Sequence, residues 1–123
     1  MEKKKNVSDA ELEILEVLWT AGEPLNTAQI RSMLEENKSW ERTTVLTLIQ
    51  RLVKKGMLYQ EKREVYYYSP AVSREAYVKE ETKNFVNKFF HGRSGNMAAA
   101  LMADDDLTKE DIKELRDFFN SRF

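Results

Sequence analysis

The sequence predicts a mainly α-helical chain with one small β-hairpin, on three observations. Apolar residues recur at helical spacing in three short stretches before Gly56. The repeat then changes to that of strands between Met57 and Ser69. Helical spacing returns after Pro70 and holds to the end. Helix, helix, helix, hairpin is the order of a winged helix-turn-helix. The expected organisation is therefore a winged helix over residues 1–70 followed by a helical region over 71–123.

Each element has a local cause. Ser8 and Glu11 stand at capping-box spacing, and Leu12, Ile14, Leu15, Val17, Leu18 and Trp19 follow them. Ala21-Gly22 stops that helix, with Pro24 just beyond. Asn26 and Gln29 form a second capping box, opening a short helix to about Asn37 whose apolar side is Ile30, Met33 and Leu34. The third helix runs from about Arg42 to Lys55, with Val45, Leu48, Ile49 and Leu52 at i, i+3, i+4 and i+7, and Gly56 ends it. Next come two β-prone runs, Met57 to Gln60 and Val65 to Tyr68, with the polar tip Glu61-Lys62-Arg63-Glu64 between them. No Gly or Asn-Gly marks the turn, so its type is unspecified. Ser73 caps a long helix to about Phe90, which His91 to Gly95 interrupt. A short helix follows from about Asn96 to Ala103, then the acidic stretch Asp104 to Asp106, then a last helix capped by Thr108.

Composition removes most enzyme chemistry. The 123 residues are 41% hydrophobic and 33% charged, with no cysteine and a single histidine. Disulfides, thiolate metal sites and cysteine nucleophiles are excluded together, and no carboxylate sits in a recognisable catalytic motif. No cofactor and no metal site are expected. Asp104 to Asp106 lack calcium-loop spacing and read as favourable charge ahead of a helix. No apolar run reaches the ~18 residues of a membrane span, and the absence of cysteine fits a reducing, cytoplasmic setting.

The net charge of −1 conceals a segregation. Between residues 42 and 63, Arg42, Arg51, Lys54, Lys55, Lys62 and Arg63 face Glu61 alone. In a helix-turn-helix the second helix of the pair enters the major groove. With the third helix's apolar stripe turned inward, Arg42, Thr43, Thr44, Leu46, Thr47 and Gln50 face outward and suit base edges. Gln50 can pair with adenine, Arg42 with guanine, and the threonines or Leu46 can touch a thymine methyl. Arg51, Lys54, Lys55, Lys62 and Arg63, with Tyr66 on the hairpin, are expected on phosphates, which position without specifying sequence. The competing reading is a winged helix that binds another protein instead of DNA.

The tail carries more apolar bulk than about fifty residues can bury alone. Tyr77, Phe85, Phe89, Phe90, Leu101, Ile112, Leu115, Phe118 and Phe119 are expected to form a dimer core, and a two-fold homodimer is the commonest closed solution.

The run Thr47 to Gly56, preceded by Glu13 to Trp19 and followed by Tyr66 to Ser69, resembles the penicillinase-repressor (BlaI/MecI) family, as do Lys83 to Lys88 and Ile112 to Asp117. That resemblance implies a homodimeric bacterial repressor on inverted-repeat operators built on TACA/TGTA, silencing resistance or copper-homeostasis genes. It also implies a membrane-bound sensor protease that cuts an Asn-Phe bond to release DNA. Three departures matter. Leu46 stands where the resistance repressors commonly carry arginine, so a guanine reader is replaced by an apolar contact. The position matching the cleaved bond is Ala100-Leu101, without the Asn-Phe pair. The paired cysteines of copper-responsive relatives are missing.

Overall fold

The computed structural model describes residues 6–35, 38–103 and 108–122, apart from the side chains of 94, 101, 102, 115 and 118–122. The chain divides into two compact units, the first ending at Tyr77 and the second beginning at Val78.

The first unit is built from α1 (Asp9–Ala21), β1 (Leu25–Asn26), α2 (Thr27–Leu34), α3 (Arg42–Lys54), β2 (Leu58–Lys62) and β3 (Tyr66–Pro70), and it takes in the first turn of α4 (Arg74–Phe90). Ser8 Oγ accepts from the Glu11 backbone N–H at 3.1 Å while Glu11 Oε1 accepts from that of Ser8 at 2.9 Å, so two of the donors orphaned at the start of α1 are satisfied reciprocally. Gly22 ends α1 at φ +70°, a conformation that costs a side-chain-bearing residue about 1 kcal/mol or more. Asn26 and Gln29 repeat the capping box at the start of α2. The expected end of α2 near Asn37 falls outside the described residues; the helix runs to Leu34.

The core is the set of side chains that the periodicity singles out. Ile14, Leu15 and Leu18 of α1, Ile30 and Leu34 of α2, and Val45, Leu48, Ile49 and Leu52 of α3 are buried together with Leu25, Leu58 and Tyr68. Each contributes roughly 1.5–3 kcal/mol of burial. Helices this short are marginal alone, so packing and not propensity holds them.

The sheet differs from the expected two-stranded hairpin. It has three antiparallel strands in the order β1-β3-β2, with Leu25 opposite Tyr68 and Asn26 opposite Tyr67. Two residues are too few to display a period, which is why β1 is silent in the sequence. β2 also runs through Lys62, because Glu61 and Lys62 pair with Tyr67 and Tyr66 across the ladder. The tip shrinks to residues 63–65, closed by the Arg63 N–H donating to the Val65 carbonyl at 2.9 Å.

Unit contacts also run past residue 70. Trp19 Nε1 donates to the Val72 carbonyl at 2.9 Å, its ring lies 5.6 Å from that of Tyr77, and Arg74 pairs with Glu16 at 3.1 Å. Tyr77, expected in a dimer core, therefore packs within the first unit, against the last turns of α1.

In the second unit, α4 continues to Phe90, followed by α5 (Ser94–Met102) and α6 (Lys109–Arg122). Ser73 Oγ accepts from the Ala76 N–H and caps α4. His91 (φ 52°) and Gly92 (φ 81°) end it in left-handed conformations, and the Gly92 N–H donates to the Val86 carbonyl at 3.1 Å. Thr108 and Asp111 form a capping box on α6. Val86 is buried, Phe90 and Ile112 are half-buried, and Val78, Phe85 and Phe89 stand exposed. The side chains of Leu101, Leu115, Phe118 and Phe119, and the acidic residues Asp104 to Asp106, lie outside the described residues.

Candidate nucleic-acid interface

The inward stripe of α3 fixes what its other side offers. Arg42, Thr43, Thr44, Thr47, Gln50, Arg51 and Lys54 are exposed, and Leu46 is half-buried at the edge of the face. All residues expected to read bases thus lie on one side of one helix. A shallow concavity of about 250 Å³, lined by Thr43, Thr44, Thr47, Leu48 and Arg51, occupies that side. Within it the Thr47 hydroxyl donates to the Thr43 carbonyl at 2.8 Å. Among the described residues, none of Arg42, Arg51 and Lys54 has an ion-pair partner. Their charge is available to an external anion.

The approach to α3 is held by residues that sequence reasoning passed over. Arg31 Nε of α2 donates to the Trp40 carbonyl at 3.1 Å, and Lys38 Nζ lies 5.8 Å from the Trp40 ring centroid. These contacts fix the segment that leads into the N-terminus of α3. A tryptophan in the short connector between two expected helices is the sequence signal for them.

The hairpin separates its cations by face. Strand alternation puts Lys62 on the side of Leu58, Tyr66 and the buried Tyr68, with its ammonium 5.9 Å from the Tyr66 ring. Arg63 instead lies over the Tyr67 ring on the opposite side, 4.3 Å from its centroid, and pairs with Glu61 at 3.1 Å. Tyr67 is further held by Asn26 Nδ2, 3.5 Å from its hydroxyl. Lys62 and Arg63, taken together in the sequence, thus present different surfaces.

Lys55 requires a correction. Its ammonium lies 2.5 Å from Glu11 Oε1 and 2.6 Å from the Asn6 carbonyl, so it is bound internally and not held out to a phosphate. Glu11 is 1% exposed. Burial pushes its carboxyl up, but the hydrogen bonds from Lys55 and Ser8 and the Lys55 charge outweigh this and hold it below its ordinary value. The signal was present: Glu11 shares the buried side of α1 with Leu15 and Leu18, and a carboxylate there demands a cation.

Comparison with known proteins agrees with this geometry. Residues 7–121 match the family model described as Penicillinase repressor. The chain is 33% identical over 116 residues to the penicillinase repressor of Bacillus licheniformis, covering 94% of this chain and 90% of that protein. It is 30% identical over 124 residues to the methicillin resistance regulatory protein MecI of Staphylococcus aureus (strain N315), covering 98% of each. The solution structure of the DNA binding domain of the repressor BlaI matches with a TM-score of 0.54 at 35% identity, over 63% of this chain and 94% of that one. The monomeric form of Bacillus licheniformis BlaI in complex with the blaP half-operator matches with a TM-score of 0.52, at the same identity and coverage. With the family pattern running through both units, this chain belongs to the penicillinase repressor family.

Proposed function

We propose that the chain is a sequence-specific DNA-binding transcriptional repressor that acts as a homodimer on an inverted-repeat operator. The observation that carries the reading is the exposed face of α3, whose cations have no ion-pair partner among the described residues, on a unit whose solved relatives include one bound to a half-operator. Both curated relatives are regulators and not enzymes, and this chain is read the same way.

In this reading two copies of α3 enter successive major grooves on one side of the duplex. Arg42, Thr43, Thr44, Leu46, Thr47 and Gln50 face bases; Arg51 and Lys54 hold the backbone beside them; Lys62 and Tyr66 hold the flank, while Arg63, paired with Glu61 and stacked on Tyr67 on the other side of the hairpin, stays out of it. Repression is occlusion of a promoter by the bound dimer. Phe85 and Phe89, exposed with ring centroids 5.0 Å apart, supply apolar surface for the second copy. No helix among the described residues is long and apolar enough to cross a membrane, and the working place of such a repressor is the cytoplasm. Release follows from linkage: whatever separates the two copies removes the gain from joined half-sites. A sensor protease acting at Ala100-Leu101 would have to unwind α5, in which both residues lie.

Selection from a pool of random duplexes tests the reading. Enrichment of an inverted repeat whose half-sites lie about one helical turn apart is expected. Recovery of no common sequence would contradict it, and would favour the protein-binding alternative.

A further inference from the structure

Thr47 stands on the exposed side of α3, one turn after Thr43 and one turn before Arg51. Its hydroxyl donates to the Thr43 carbonyl at 2.8 Å. A threonine has a single proton to donate, and here it is used inside the helix with the oxygen drawn back toward the preceding turn. With its donor so occupied, what this side chain can offer for apolar contact is the γ-methyl. Around it the concavity is lined by the hydrocarbon of Leu48 and by two further threonines, with Arg51 at one end. Adenine, guanine and cytosine present only donors and acceptors in the major groove; thymine alone presents an apolar group, its 5-methyl.

We propose that Thr47 reads the 5-methyl of one thymine in each half-site through its own γ-methyl, while its hydroxyl serves the helix. The proposal rests on α3 being the base-reading helix and adds what that helix reads at this position. Arg51, one turn further on, places a guanidinium beside the same concavity, where it neutralises the adjoining phosphate.

The test uses the full-length chain, the duplex enriched from the random pool, and copies of that duplex in which each thymine in turn is replaced by deoxyuridine in both half-sites. Deoxyuridine removes the methyl and leaves every hydrogen-bonding edge. One such replacement is expected to weaken wild-type binding about four-fold per half-site, on the order of fifteen-fold for the whole duplex. Thr47→Val, which keeps the methyl and drops the hydroxyl, should stay within about two-fold of wild type and show the same deoxyuridine profile. Thr47→Ser, which keeps the hydroxyl and drops the methyl, should bind the thymine duplex as weakly as wild type binds the deoxyuridine one, with no further loss on that replacement. Circular dichroism of both variants checks that α3 is retained. Equal losses in Thr47→Val and Thr47→Ser, or one deoxyuridine profile for all three proteins, would overturn the proposal and leave the base-reading role of α3 standing. Failure of the wild-type chain to enrich any sequence would overturn that role itself, before a variant is made.

Discussion

The ammonium of Lys55 at the C-terminus of α3 lies 2.5 Å from the carboxylate of Glu11 in the first turn of α1, joining residues 44 positions apart. The pair ties one end of the base-facing helix to the start of the fold. It also removes from the DNA-facing charge a lysine that the sequence places in the same basic stripe as Lys54.

Glu11→Gln is expected to lower stability by about 1–3 kcal/mol at neutral pH, less than for a fully buried pair because Lys55 remains partly exposed. The Glu11 carboxyl titrates below its ordinary value of 4.5 in the folded chain. Its contribution is therefore present in full above that value and is lost as pH falls through the folded pKa. Urea unfolding should show the difference between wild type and Glu11→Gln at pH 7 and its disappearance in acid. A difference independent of pH would mean that the charge of Glu11 contributes nothing.

Gln50→Ala and Lys54→Ala should separate base reading from backbone holding. Gln50→Ala is expected to narrow the gap between specific and scrambled duplexes. Lys54→Ala should weaken binding to both alike and flatten the log–log salt dependence by about 2 for a dimer, since each phosphate contact contributes about 0.9. Equal loss on both duplexes for Gln50→Ala would remove it from the base-reading set.

Replacing Phe85 and Phe89 together by alanine should shift the chain toward monomer in sedimentation and lower affinity for an inverted repeat, with half-site affinity unchanged. Both rings are exposed in a single copy, so little stability of that copy is at stake. A dimer that persists in the double variant would place the interface elsewhere.

Trp19→Phe keeps an aromatic ring beside Tyr77 but removes the donor to the Val72 carbonyl. A cost of about 1 kcal/mol is expected, a fall in Tm of roughly 4–8 °C for a unit of this size. An unchanged Tm would mean that water satisfies Val72 equally well.

Local rules made much of the fold legible. The capping residues Ser8, Asn26, Ser73 and Thr108 mark four helix starts, and the spacing of Val45, Leu48, Ile49 and Leu52 fixes which side of α3 is free. That spacing alone brings Thr43, Thr47 and Gln50 to one surface. What stayed hidden depends on long-range pairing. β1 exists only because Tyr67 and Tyr68 of β3 pair with it, and two residues carry no pattern of their own. Lys55 reads as one more surface cation until Glu11 is brought to it. Tyr77 has tail periodicity, yet Trp19 draws it into the first unit. Arg63 and Lys62 are adjacent in sequence, but stacking on Tyr67 turns one away from the other.

The most direct test of the central claim is fluorescence anisotropy of the full chain on a labelled TACA/TGTA inverted-repeat duplex and on a scrambled control, across a salt series. Arg51, Lys54 and Lys62 from two copies supply six cations, so a slope of about −5 in log K against log salt is expected, with affinity for the repeat well above that for the control. Weak binding to both duplexes, with a shallow slope and no gap between them, would contradict the reading of this chain as a sequence-specific repressor of such operators.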